Sequence, residues 1–224
     1  MRFLGECRRR LYGSKDKDAL ELFRRAVRAF SDFPSYWANF GHAAIDSEDE
    51  ETLAEFLTEL AAAPDVVQRY DYVAAVWANA LGKAGRDDEA ANLRKQKIAE
   101  GSLNPVFYAD HAKWLLDKKN DANAALTVLE QAQQRNCAND FTEAIYATAL
   151  AIVGRDDESA KLRQANIDAG STNPAFYTDH AKWHWNQHGN ADAALQVLKL
   201  ASQRGCADDV INLLRRQIED KQNR

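Results

Sequence analysis

The stretch GRDDEAANLR, Gly85 to Arg94, recurs as GRDDESAKLR, Gly154 to Arg163, 69 residues further on. At the same offset FYADHAKW, Phe107 to Trp114, returns as FYTDHAKW, Phe176 to Trp183, and Asn136-Cys137-Ala138 answers to Gly205-Cys206-Ala207. A period of 69 is about twice the 34 residues of a helix–turn–helix repeat, so the duplicated block reads as two hairpins, four helices. Residues that end helices punctuate it. Gly101 and Gly170 stand where a helix stops in a left-handed residue, a conformation that glycine enters without a Cβ clash. Asn136 and Gly205 mark another stop, both being residue types that tolerate positive φ. Asn104-Pro105 and Asn173-Pro174 each offer a capping oxygen followed by a proline at the first helical position, where a missing N–H is no loss. Asp87 and Asp156 are expected to cap the helices that follow them. Between the stops the apolar residues keep helical spacing: Ala125, Leu126, Leu129 and Ala132 are matched by Ala194, Leu195, Leu198 and Ala201.

The whole chain of 224 residues has the same character, with 46% apolar residues, four prolines and few β-branched runs. The net charge of -5 weighs against a general nucleic-acid binder, whose affinity comes largely from neutralising phosphates. Locally the charge is uneven, because residues 1–34 carry nine Lys/Arg against five Asp/Glu while 35–65 carry eight acids and no Lys or Arg. The start, MRFLGECRRRLYG, puts Arg8, Arg9 and Arg10 where the apolar core of a signal peptide would stand, so a cytoplasmic location is expected. No stretch approaches the roughly 20 apolar residues that span a bilayer. Cys7, Cys137 and Cys206 form no metal-type or redox-type spacing and read as reduced thiols.

The hairpin pattern resembles a tetratricopeptide repeat array. Ala19, Phe23 and Ala26 fit that family's second-helix pattern; Trp37, Phe40 and Gly41 fit its first-helix pattern, and Gly85 with Ala90 fits a third unit. The resemblance implies an all-α, right-handed solenoid forming a single domain over residues 1–224. Six hairpins would begin near residues 1, 35, 71, 105, 140 and 174, with a capping helix over about 209–220. Arg94 and Arg163 depart from the family pattern where a bulky apolar residue is usual, and His111 and His180 where leucine is usual. A half-a-tetratricopeptide variant predicts the same stack of hairpins.

The resemblance also implies a concave groove lined by the second, fifth, ninth, twelfth and thirteenth residues of each first helix. Its ninth-position row is Arg8, His42, Asn79, Lys113, Thr148 and Lys182; its fifth positions are Ala38, Ala75, Ala109, Ala144 and Thr178; and Trp185, Asp46, Lys83 and Asp117 stand at the edge. The implied function is that of a non-enzymatic scaffold or adaptor binding a protein or peptide, with acidic groups near Lys113 and Lys182 and no cofactor. The carboxylate clamp of some relatives needs lysine at a fifth position and is not expected. Arg8, Arg9, Arg10, Arg24, Arg25 and Arg28 form a second candidate surface, for an acidic partner or the acidic second hairpin of another molecule; a solvated charged face is the plain reading.

Other chemistry competes with structural readings of the same residues. Ser47 and Glu50 have capping-box spacing ahead of Leu53, Phe56 and Leu57, which accounts for the acidic run better than a cation site does. His180, His184 and His188 fall at i, i+4 and i+8, yet their duplicates are His111, Leu115 and Lys119, so packed or surface histidines are expected and no residue is assigned to a metal. Trp114 and Trp183 read as core, and Cys137 and Cys206 as small packing residues. RNA binding, as in pentatricopeptide relatives, is the alternative function, and a metal-dependent enzyme using His180 and His184 a further one.

Overall fold

A computed structural model describes residues 17–222, and among these every regular element is helical. The helices are α1 (Lys17–Ala29), α2 (Pro34–Ser47), α3 (Glu50–Ala61), α4 (Asp65–Gln68), α5 (Asp71–Lys83), α6 (Asp87–Ala99), α7 (Pro105–Lys119), α8 (Ala122–Gln134), α9 (Asp140–Ile152), α10 (Asp156–Asp168), α11 (Pro174–His188), α12 (Ala191–Gln203) and α13 (Asp209–Gln222). They divide into two compact units, one running to Phe107 and the other from Tyr108.

The helix ends follow local chemistry. Gly101, Gly170 and Gly205 have φ of +88°, +90° and +70°, and Asn136 has +54°, so each helix before them closes in a left-handed residue. Asn173 Oδ1 accepts the Ala175 amide and Asn104 Oδ1 the Val106 amide, both at 3.1 Å, ahead of their prolines. Two expected caps are corrected. Arg86 and Arg155, not Asp87 and Asp156, hold the N-cap positions of α6 and α10, without side-chain caps. The aspartates lie inside the first turn, where a negative charge favours the helix dipole, and each arginine grips the glutamate three residues on, Glu89 or Glu158. At α3 the cap is Asp49, which accepts the Thr52 amide at 3.0 Å; Ser47 ends α2 and turns its hydroxyl back to the Ala44 carbonyl, so it forms no box with Glu50. The short α4 is an insertion that the repeat did not forecast.

In unit 1, α2 packs on α1, α3 and α5, and α5 packs on α6. The core meets at Phe40 and Phe56, both fully buried, with rings edge-to-face at 5.3 Å. The expected basic face is altered here. Arg24 pairs with Glu55, and Arg28 with Glu55 at 3.0 Å and Glu59 at 2.8 Å, so the acidic hairpin that these arginines meet is their own chain's. Arg25 stays exposed. Arg8, Arg9 and Arg10 lie outside the described residues. In unit 2 successive helices from α9 to α13 pack on one another, α8 packs on α9, and α13 also packs on α11.

Both units share one tie that sequence periodicity did not reveal. Ser102 Oγ donates to Asp71 at 2.5 Å and accepts the Asn104 amide, and Ser171 Oγ does the same with Asp140 and Asn173. One buried hydroxyl thereby joins the turn after a second helix to the start of the first helix before it. Replacing Ser171 with alanine is expected to destabilise unit 2 by about 1–2 kcal/mol, since it strands a partly buried carboxylate oxygen and an amide. Urea unfolding beside Ser202→Ala, an exposed serine whose hydroxyl bonds its own helix, checks this: equal midpoints would refute the tie.

Candidate functional site

The ninth-position row is spread over five described first helices, and its members differ in what they already hold. In unit 1, His42 Nε2 is hydrogen-bonded to the Tyr72 hydroxyl at 3.0 Å. Asn79 is exposed, but its Oδ1 accepts from the buried guanidinium of Arg94 at 3.1 Å, which explains how an arginine stands where a bulky apolar residue is usual. Lys83 is exposed in the last turn of α5. Arg8 lies outside the described residues. In unit 2, Lys113 and Lys182 are exposed and each has a carboxylate within a turn, Asp117 at 3.0 Å and Asp179 at 3.5 Å. Trp185 is half-buried, with Lys221 of α13 over its ring at 5.4 Å.

Lys113 and Thr148 come together in a cleft of about 250 Å3 in unit 2, whose walls are successive first helices. From α7 come Lys113, Leu116 and Asp117; from α9 come Phe141, Ala144, Ile145 and Thr148; Asn173 and Ala175 close it at the start of α11. Asn139 caps α9 in a reciprocal box with Thr142, fixing the turn that carries Phe141. Phe141 is 47% exposed although it is a large apolar side chain. Ala144 is small enough to admit a ligand's backbone, and Thr148 donates its hydroxyl proton to the Ala144 carbonyl at 3.0 Å, leaving oxygen lone pairs toward other donors. The floor is therefore apolar and the rim polar, with one cation and one carboxylate paired at the surface. Such an exposed pair is worth under about 1 kcal/mol, so either ion exchanges partners readily.

Position in the repeat places Lys113, Thr148, Ala144 and Asp117 at this cleft, but it drew out neither Phe141 nor Ile145. The available signal was again position: Phe141 is the second residue of its helix, and Tyr72, 52% exposed, is the second residue of α5. Lys182 and Trp185 do not line this cleft.

A wider cleft of about 990 Å3 lies in unit 1 around Trp77 and Leu93. Its charges are largely occupied with one another: the buried Lys97 ammonium donates to the Arg69 carbonyl at 2.8 Å and Glu100 at 3.1 Å, and pairs with Asp71 at 3.3 Å. Among the described residues no group of three His, Cys, Asp or Glu is arranged to hold a metal ion. Trp114 and Trp183, expected in the core, are half-buried and stacked on His111 and His180. Cys137 and Cys206 are free and half-buried, each sulfur directed to a carbonyl five residues back. No described helix is long and apolar enough to cross a membrane.

Neither a protein-family model nor a curated protein matches the sequence. Among solved structures, TTC0263, a thermophilic TPR protein of Thermus thermophilus, is similar over 83% of this chain and 98% of its own, with 15% identity and a TM-score of 0.63. MamA MSR-1 C2 is similar over 80% of this chain and 97% of its own, with 19% identity and a TM-score of 0.52. At these identities the likeness is one of fold, and the fold is tetratricopeptide-like.

Proposed function

We propose that the protein is a non-enzymatic adaptor of the cytoplasm that holds a peptide segment of a partner protein in the unit 2 cleft. The observation that carries this reading is Phe141, a half-exposed aromatic ring beside Leu116 and Ile145 in a concavity with a polar rim. Large apolar side chains exposed in a cleft mark contact sites, and aromatic anchors supply most of the binding energy at such sites. An apolar side chain of the partner fills the space against Phe141. A carboxylate beside it takes Lys113 from Asp117, which makes an acidic–apolar segment the best fit.

The test is affinity capture from native extract with wild type and a Phe141→Ala/Lys113→Glu variant whose fold is checked by circular dichroism, both residues being exposed. A partner enriched by the wild type is expected to bind the variant about thirtyfold more weakly, the loss of roughly 2 kcal/mol typical of an anchor. Enrichment that survives in the folded variant removes the cleft from consideration.

A further inference from the structure

The carboxyl-terminal half of α11 gathers three imidazoles around one indole. His180 is 4% exposed, its ring stacked on Trp183 at 5.6 Å and 9°, with His184 edge-on at 4.7 Å. Trp183 receives His184 at 4.9 Å and His188 at 4.3 Å, both edgewise. His180 Nδ1 is buried and has no hydrogen-bond partner among the described residues. From α10 comes Arg163, 6% exposed, whose guanidinium burial holds below its usual pKa against the opposing pull of Asp179 and Asp156.

We propose that this cluster is a proton-operated switch, in which uptake of a proton at the His180–His184 pair beside Arg163 loosens α11 from α10. Three observations of different kinds converge on it. The first is packing: α11 packs on α10, and His180 and Arg163 are both almost fully buried there, so a proton on His180 would add a second buried cation at that junction; Asp168 of α10 is the carboxylate that draws His180 the other way. From the other packed elements, Lys221 of α13 lies over Trp185 and Asp192 of α12 accepts from Gln222, and neither is among the charges that act on His180. On α11 itself Lys182 is occupied with Asp179.

The second observation is titration. Burial first, then His184 and Arg163, pull His180 from 6.5 down to about 4, and burial and His188 lower His184 in the same direction. A histidine whose folded pKa is depressed is protonated first in the open state. Stability is therefore full above pH 6.5 and is lost as the pH falls from there towards 4.

The third is the internal duplicate. In α7 the same stack exists, His111 on Trp114 at 5.5 Å and 14°, but Leu115 and Lys119 stand where α11 has His184 and His188. Lys119 Nζ lies over Trp114 at 4.7 Å, a permanent cation on the indole face. Its counterpart His188 meets Trp183 edgewise at 4.3 Å. The α7 copy thus has no second imidazole against its buried histidine, whereas the α11 copy has His184 there. Because Asn173 and Ala175 at the start of α11 close the cleft, loosening α11 releases the ligand proposed above; that consequence alone rests on the cleft reading.

The experiment needs no ligand. Amide hydrogen exchange in the full chain, corrected for intrinsic rates, is compared at about pH 7.5 and pH 5.0, on either side of the open-state titration. Opening of α10 and α11 is expected to become about thirtyfold more frequent at the lower pH from His180 alone, following from pKa values of 6.5 and about 4, and to lose that dependence in His180→Leu. An unchanged wild-type ratio, or a full response surviving in His180→Leu, overturns the switch. Should His180→Leu fail to fold, NMR titration of the wild-type imidazoles decides: His180 is expected to titrate near 4, and a midpoint at about 6 or above, close to an ordinary imidazole, overturns the proposal.

Discussion

Replacing Gly41 with alanine is expected to destabilise unit 1 by about 3 kcal/mol, although alanine is the better helix residue by nearly 1 kcal/mol. Gly41 lies within α2, and a Cβ there would run into Val76 Cγ1 of α5 and meet Phe56 Cζ of α3 at 2.6 Å. Neither neighbour can retreat cheaply. Phe56 is fully buried and held edge-to-face by Phe40, and Val76 is 3% exposed. The absence of one methyl group thus sets how closely α2 approaches two helices at once. A close packing constraint makes a double-mutant prediction too: Val76→Ala removes half of the clash, so Gly41→Ala/Val76→Ala is expected to be at least about 1 kcal/mol more stable than the sum of the single changes. Urea unfolding of the four proteins measures both quantities. A Gly41→Ala protein that unfolds with the wild type would show that α2 stands further from α3 and α5 than described.

The parts of this fold that were legible in the sequence are those set by short-range chemistry repeated twice. Gly101 and Gly170 had to close helices because each sits before the same Asn-Pro start, and both take positive φ. Leu129 and Leu198 had to be core because the 69-residue offset preserves them at helical spacing, and both are buried to within 1%. The failures are of two physical kinds. Where several residues compete for one cap, as in Arg86-Asp87-Asp88 or Ser47 through Glu50, composition does not fix the register, and the choice falls to whichever side chain has no better bond: Ser47 was lost to the Ala44 carbonyl. Where a contact links distant positions, periodicity is silent. The grip of Arg28 on Glu59, 31 residues away, turned an apparently free basic face into a partly neutralised one. The cleft divides the same way. Its lysine and threonine followed from a position in the repeat, whereas Phe141, taken alone, is indistinguishable from a core aromatic until its exposure is known.

Leu129→Ala and Leu198→Ala are expected to destabilise unit 2 by about 3 kcal/mol each, the usual consequence of emptying a fully packed leucine site. The two are duplicates of one another, yet they occupy separate cores. Leu129 packs with Ala112, Leu126, Ala149 and Leu150, and Leu198 with Ile167, Phe176, Ala181, Ile211 and Ile218. Because the clusters share no buried member, the losses should add to within about 0.5 kcal/mol in the double variant, and a total of about 6 kcal/mol lies within the range of a whole domain's stability. The double variant is therefore expected to be largely unfolded at room temperature while each single variant remains folded, which circular dichroism with urea unfolding of the single variants would establish. Hydrogen exchange separates the two sites further: Leu198→Ala should raise exchange first in α11 to α13, and Leu129→Ala in α7 to α10. If either variant loosens both groups of helices equally, unit 2 folds as one cooperative body and the hairpin clusters are not independent sources of its stability.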